Sequence, residues 1–350
     1  MVRPLVIALT IAVSLSAALA DRYRDCGQNA DLDRQLRGCT EIIERGSEES
    51  ASNRAAAYNN RGIALNDRGE FERAILDFNN AVAVEHEDAA AYSNRGESYR
   101  GTGNFDRAIA DYNKAIALNP TLPLPFNNRG LAHQSKGDYD RAIADYNKAL
   151  ALNPGYTKAY VNRGVAYKER GDLDRAIADF DKVLAVNPEH AEAYSNRGRT
   201  HLLRGELLRA LTDFDRAIAI DQSDARVYNN RGTVYHKQGD YDRAIADYTK
   251  AIEIKPDYAR AYNNRAWTYF KRGRSELGLP DAERAVKLAP NDATVLDTRG
   301  QIYVALGRQE EAIADLTKAV MLDPRLQGSR EALDKLGVDP STYMKSLPRN

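Results

Sequence analysis

An all-α solenoid built from short helical hairpins is the fold class this sequence predicts, and three observations predict it. A tetrad that opens on an aromatic and closes on arginine recurs at Tyr58, Tyr92, Phe126, Tyr160, Tyr194, Tyr228 and Tyr262, with a degenerate copy at Leu296. These eight starts are spaced by 34 residues with no insertion between them, and a fixed period of this length marks a stacked-repeat array. Within each period, apolar residues follow helical spacing twice, on either side of a glycine break. The length of 350 residues would alone suggest about two domains, but a repeat overrides that prior.

Taken in order, residues 1–20 read as a secretory signal. Arg3 supplies the positive start, Leu5 to Leu19 is mostly apolar, and Ala18-Leu19-Ala20 is a cleavage site before Asp21. The run is short for a span of about 20 residues, so cleavage is expected, with no stable membrane span afterwards and a secreted or periplasmic location. Export changes the reading of the two cysteines, Cys26 and Cys39. An oxidising compartment favours joining them, which stabilises by roughly 3 kcal/mol on the chain-entropy model. Residues 21–54 read as an N-terminal cap, with Leu32, Leu36, Cys39, Ile42 and Ile43 forming one apolar helical stripe. Terminal repeats need such a cap because their stacking face would otherwise meet water. Gly46 to Asn53 reads as a polar linker into the first full repeat.

The repeats then run 55–88, 89–122, 123–156, 157–190, 191–224, 225–258, 259–292 and 293–326. In the sixth, whose position 1 is Ala225, Tyr228, Gly232 and Tyr235 form the packing stripe of a first helix. Ala244, Tyr248 and Ala251 form the matching stripe of a second. Gly239 stops the first helix, Asp240 and Asp242 open the next near its positive end, and Pro256 breaks it. The seventh repeat departs most, with Gly278, Pro280 and Ala282 at positions 20, 22 and 24. A proline inside a helix costs about 3 kcal/mol, so the second helix there is expected to start late, with an irregularity from Arg274 to Pro280. Residues 327–337 read as a capping helix with Ala332, Leu333 and Leu336 inward, and 338–350 as a loose tail.

The pattern Tyr228, Gly232, Tyr235, Ala244, Tyr248, Ala251, Pro256 resembles the tetratricopeptide repeat family over Ala55 to about Leu326. The resemblance implies a right-handed superhelix whose first helices line a concave face that binds extended peptides or partner proteins. Departures are local: tyrosine stands for the family's tryptophan at position 4 and arginine for leucine at position 7. Position 11 is Leu65, His133 or His201 in three repeats, and His86 and Gln222 replace the proline at position 32.

The arginine at position 7 needs a partner, because a half-buried guanidinium is costly alone. Position 23 is aspartate in all eight repeats, from Asp77 to Asp315, so one bridge per repeat is expected, typified by Arg231 and Asp247.

Positions 2, 6, 9 and 13 of each first helix form a second stripe, turned away from the packing one. Position 6 is Asn60, Asn94, Asn128, Asn162, Asn196, Asn230 and Asn264, ending with Thr298. An amide both donates and accepts, which suits the backbone of an extended peptide. It resembles the asparagine ladder of peptide-binding superhelices, including the repeat domain of O-linked N-acetylglucosamine transferases. A purely structural use, amides bonding neighbouring helices, stands beside that reading. Charges on this face and at position 12 are unevenly spread. Repeats one to three carry Asp67, Glu97 and Arg100, whereas repeats four to seven carry Lys158, Lys168, Arg199, Arg226, Lys237, Arg260 and Lys271 against Glu169 and Glu192. Trp267 and Phe270 add aromatics. An acidic ligand segment is one reading; a solvated mixed-charge face is the other. The chaperone-tail carboxylate clamp of some relatives wants lysine at position 5 and asparagine at position 9, and this chain has neither.

Fifty basic and fifty acidic residues balance, which gives no basic excess of the kind a nucleic-acid binder carries. The histidines lack metal-ligand spacing, no nucleophile motif or phosphate-binding glycine loop appears, and no cofactor is expected. The sequence therefore predicts a non-catalytic scaffold for a protein or peptide ligand, an envelope adaptor. The alternatives are an accessory subunit delivering substrate to an envelope enzyme, and a self-associating structural protein. Oligomeric state is not legible.

Overall fold

The structure is a computed structural model that describes residues 21–339. The signal segment and the tail from residue 340 onward lie outside the described residues. All regular structure among those described is helical.

The cap is a helical turn over residues 21–27 followed by the helix Leu32–Glu44. Asp31 starts that helix by accepting the Arg34 amide. A disulfide joins Cys26 to Cys39, whose Cα atoms are 4.6 Å apart, and both cysteines pack with Ile42 and Ala57. The stretch expected as a polar linker is shorter and more ordered than its composition suggests. Gly46–Glu48 forms a 3₁₀ turn, and Ser50 accepts the Asn53 amide and caps a helix that already begins at Ala51. Tyr23 donates its hydroxyl to Glu49 and so fastens the N-terminal turn to this junction.

Beyond the cap, helical hairpins follow one another, and two compact units divide the chain between Asp179 and Phe180. The first unit holds the first helices Ala51–Asp67, Ala89–Gly101, Pro123–Ser135 and Thr157–Glu169, and the second helices Phe71–Val84, Phe105–Leu118 and Tyr139–Leu152. The unit boundary falls inside Leu173–Val186. The second unit holds Ala191–Leu203, Ala225–Lys237, Ala259–Lys271 and Ala293–Ala305 as first helices. Its complete second helices are Leu207–Ile220, Tyr241–Ile254, Ser275–Leu288 and Gln309–Leu322, and Gln327–Lys335 closes it. That last helix puts Ala332 and Leu333 against Leu316 and Val320.

In the first, second, third, fifth and sixth hairpins one contact sets the approach of the two helices. A Cβ built on Gly232 would lie 2.8 Å from the ring of Tyr248, which is itself fully buried. The same holds for Gly62 against Phe78 and Gly130 against Tyr146. Glycine at position 8 is therefore the floor on which the position-24 ring lies flat. The turn between the helices needs a second glycine for a different reason. Gly239 has φ 79°, and the amide of Asp240 returns to the carbonyl of Tyr235 at 2.9 Å. Asp240 then accepts the Arg243 amide and starts the next helix.

Each position-7 arginine forks onto the position-23 aspartate of its own repeat, with both N–H···O distances between 2.6 and 2.9 Å in all eight. Except at Arg299, the remaining nitrogen reaches back to the helix before it. Arg95 donates to Asn79, Arg129 to Asn113, Arg231 to Asp215 and Arg265 to Thr249. Arg61, with no repeat before it, donates to Thr40 of the cap. The guanidinium thus joins three helices. Asp247 bonds hold Arg231 above the ordinary arginine range despite burial, with Asp215 adding to the effect. Most of these arginines also lie against the position-4 ring, as Arg231 does over Tyr228 at 5.7 Å.

The seventh repeat corrects the expectation of a late second helix. Ser275–Leu288 starts in register and runs through Pro280. Pro280 is on the exposed side, so its ring and the carbonyl it displaces face water. The neighbouring substitutions also compensate one another. Ala266 and Ala282 replace the glycine and the ring, and Gly278 lets the backbone close the gap, a Cβ there lying 2.8 Å from the Ala266 carbonyl.

Candidate functional site

On the first helices, positions 2 and 13 are largely exposed, position 9 is mixed, and the position-6 asparagines are half-buried. The ladder divides by the residue at position 5 of the preceding repeat. Asn94 donates to Asn59, Asn162 to Asn127 and Asn264 to Asn229, each at 3.0 Å. Asn128 is buried and accepts from Asn127. Where position 5 is Ser195, Asn230 has no such acceptor. Among the described residues, the side-chain amides of Asn60, Asn196 and Asn230 make no hydrogen bond. Three asparagines therefore set stacking, and these last three keep their donors and acceptors available.

The basic residues also separate. Lys168 does not share the exposed face: its side chain is 1% exposed and its ammonium lies 3.1 Å from Glu169. Lys158, Arg199, Arg226, Arg260 and Lys271 are exposed. Arg226 forks onto Asp224 at 3.0 and 2.8 Å. Arg199 and Arg260 make no ion pair among the described residues. Tyr258 sits among these charges. Burial pushes its phenol up, Arg260 draws it down, Asp224 pushes it up again, and Arg226 and Arg199 also draw it down. Arginines of the fifth, sixth and seventh repeats thus share one neighbourhood.

The same stripe ends in an aromatic corner. Trp267 and Phe270 have ring centroids 5.0 Å apart, and the Lys271 ammonium stands 4.6 Å over the indole. Behind it, His236 contacts the Thr268 hydroxyl at 2.9 Å, and burial, with Lys271 and Lys237 adding, pushes its imidazole below the usual range.

Two features escaped the sequence reading. The acceptors at position 25, such as Asn79, Asn113, Asp215 and Thr249, were one: a polar residue in each repeat to which the sequence reading assigned no role. The other is a ladder along the turns, linking position 18 of one repeat to position 14 of the next, seen as Asp106–Lys136, Asp140–Arg170 and Asp242–Arg272. Acid and base recurring 30 residues apart was the available signal. Within the second unit the ladder breaks at Glu276, where Leu306 stands in place of a base, and more completely two repeats earlier. Leu208 and Gln238 replace both partners, and Leu208 and Leu203 are 75% and 61% exposed.

Among the described residues, no group of His, Cys, Asp and Glu is placed to hold a metal ion, and no helix is long and apolar enough to cross a membrane.

Tetratricopeptide repeat models match residues 96–137, 123–156, 145–178, 162–225, 225–258, 247–279 and 293–326. Among proteins with curated descriptions, none matches. Solved structures with a similar fold include the anaphase-promoting-complex assembly of Cut9 and Hcn1, at 17% identity and TM-score 0.62. That match covers 87% of this chain and only 59% of the other. A tetratricopeptide repeat protein from Parabacteroides merdae is similar at 23% identity and TM-score 0.59, covering 71% of this chain and 98% of its own. PilW, a type IV pilus biogenesis factor, is similar at 20% identity and TM-score 0.54, covering 58% and 94%. At these identities the likeness concerns the fold. With family matches over more than half its length and hairpins stapled at one repeated arginine, the chain belongs to the tetratricopeptide repeat family of protein–protein interaction scaffolds.

Proposed function

We propose that this chain is an exported envelope adaptor that holds an extended segment of a partner protein along the exposed stripe of its first helices. One observation carries the reading. In a chain whose arginines and aspartates are mostly paired with each other, this stripe keeps side chains without internal partners: Asn196 and Asn230 amides, and the Arg199 and Arg260 guanidiniums. Unbonded amides suit a peptide backbone, whatever its side chains. Export is supported by the apolar run ahead of Asp21 and by the Cys26–Cys39 disulfide, a bond that persists in oxidising compartments. The reading assigns the chain no catalytic step.

Cross-linking in cells followed by mass spectrometry tests this directly. Partners that cross-link near repeats five to seven should be lost or strongly depleted when Asn196→Ala and Asn230→Ala are combined. Neither side chain bonds within the fold, so the helical content should stay intact. Retention of the same partners at the same sites would sink the stripe as the ligand surface.

A further inference from the structure

Taking the first-helix stripe as the ligand surface, as proposed above, we infer that its second-unit part selects a segment in which several carboxylates are followed by an aromatic or large apolar side chain. The charge is segregated there. Positions 2, 9 and 13 of repeats five to seven present Arg199, Arg226, Lys237, Arg260 and Lys271 against Glu192 alone, while the chain as a whole is balanced. This excess is uncompensated locally. Elsewhere aspartates cover the arginines, as at Arg231 and Arg265, but Arg199, Arg260, Lys237 and Lys271 have no carboxylate partner among the described residues. Arg226 is held by Asp224, which orients its fork and leaves it 73% exposed.

The second half of the ligand follows from the corner at Trp267. Arg260 and Trp267 lie two turns apart on one helix. The indole is partly buried against Phe270 and capped by Lys271. An apolar ring on the exposed part of the indole would extend this aromatic pair, and a preceding carboxylate would meet Arg260. A peptide fits these features better than a nucleic acid. The arginines are few and spaced one repeat apart, and the amides beside them match a polypeptide backbone rather than phosphates alone.

Trp267 is the single tryptophan of the chain, so its emission reports occupancy at this corner. The full-length mature protein is titrated with a short tryptophan-free peptide carrying glutamates followed by phenylalanine, and with versions in which glutamine or lysine replaces glutamate. Only the glutamate peptide should shift Trp267 emission at low concentration, with affinity falling as salt rises. Arg199→Gln combined with Arg260→Gln should weaken it by roughly tenfold or more, while Arg199→Lys with Arg260→Lys should retain most of it. Circular dichroism checks that both pairs of variants remain folded. Equal binding of the glutamine peptide, or unchanged binding to the glutamine variants, would overturn the inference. So would a single-stranded oligonucleotide that binds as tightly as the glutamate peptide. If acidic peptides fail while the Asn196 and Asn230 substitutions still abolish cross-links, the acidic preference is wrong and the adaptor reading survives. If acidic peptides bind and the cross-links persist, the reverse holds.

Discussion

Arg231 touches three helices through three nitrogens, and its neighbours set what removing any one partner costs. Asp247 is 9% exposed and takes two of the bonds; Asp215 is 55% exposed and takes the third. Breaking a buried pair by deleting one member costs about 3–5 kcal/mol, because a charge is left desolvated. Asp247→Ala should fall at the low end, about 3 kcal/mol, since Asp215 still compensates the guanidinium. Asp145→Ala should cost more, because Arg129 keeps only the neutral Asn113. Urea denaturation of the two variants side by side checks the order, and equal losses would show that the third helix contributes nothing. The fork onto position 23 was legible in the sequence because arginine and aspartate recur together. The third bond was not. Its acceptor varies among Asn, Asp and Thr, and variation in residue type hides a fixed geometric role.

At the scale of the element, local rules held where backbone chemistry decides and failed where packing could compensate. Glycine at position 15 marks a turn whatever residue follows it, and each of these glycines takes the left-handed conformation that ends a first helix. Pro280 was misread because its cost was counted without its surroundings. It falls in the second turn of its helix with an exposed ring, and the Ala266–Gly278–Ala282 set tightens the hairpin on the opposite face. The penalty is still present, so Pro280→Ala should stabilise the protein by about 1–3 kcal/mol by restoring one helical hydrogen bond. A thermal melt in which the variant is no more stable would mean that the proline's rigidity offsets its lost donor. The linker before Ala51 was misread for a related reason. Its polarity suggested a loop, whereas Ser50 and Glu49 use that polarity to cap and anchor helices. The position-6 ladder was legible as a row of amides, but its division into bonded and unbonded members depends on position 5 of the preceding repeat. That is a contact between hairpins, invisible in either one alone.

For the whole molecule, balanced composition conceals an uneven distribution. Acidic side chains are spent inside the hairpins and along the turns, and the exposed stripe of repeats five to seven is left cationic. The staple has one more consequence, which concerns chain length. Because the arginines of the second to seventh repeats each grip the preceding repeat at a constant register, removing a whole period brings equivalent surfaces together. Excision of residues 225–258 would set Arg265 against Asp215, replacing its bond to Thr249 with a charged one. Excision of a few residues fewer would rotate the following helix and misalign each later staple. A chain shortened by the full 34 residues should therefore still unfold in a cooperative transition, whereas one shortened to Ile254 should aggregate or melt broadly, as circular dichroism and size-exclusion chromatography would show. An array so built can gain or lose length only in whole units, and the exposed stripe of its first helices lengthens or shortens by the same step.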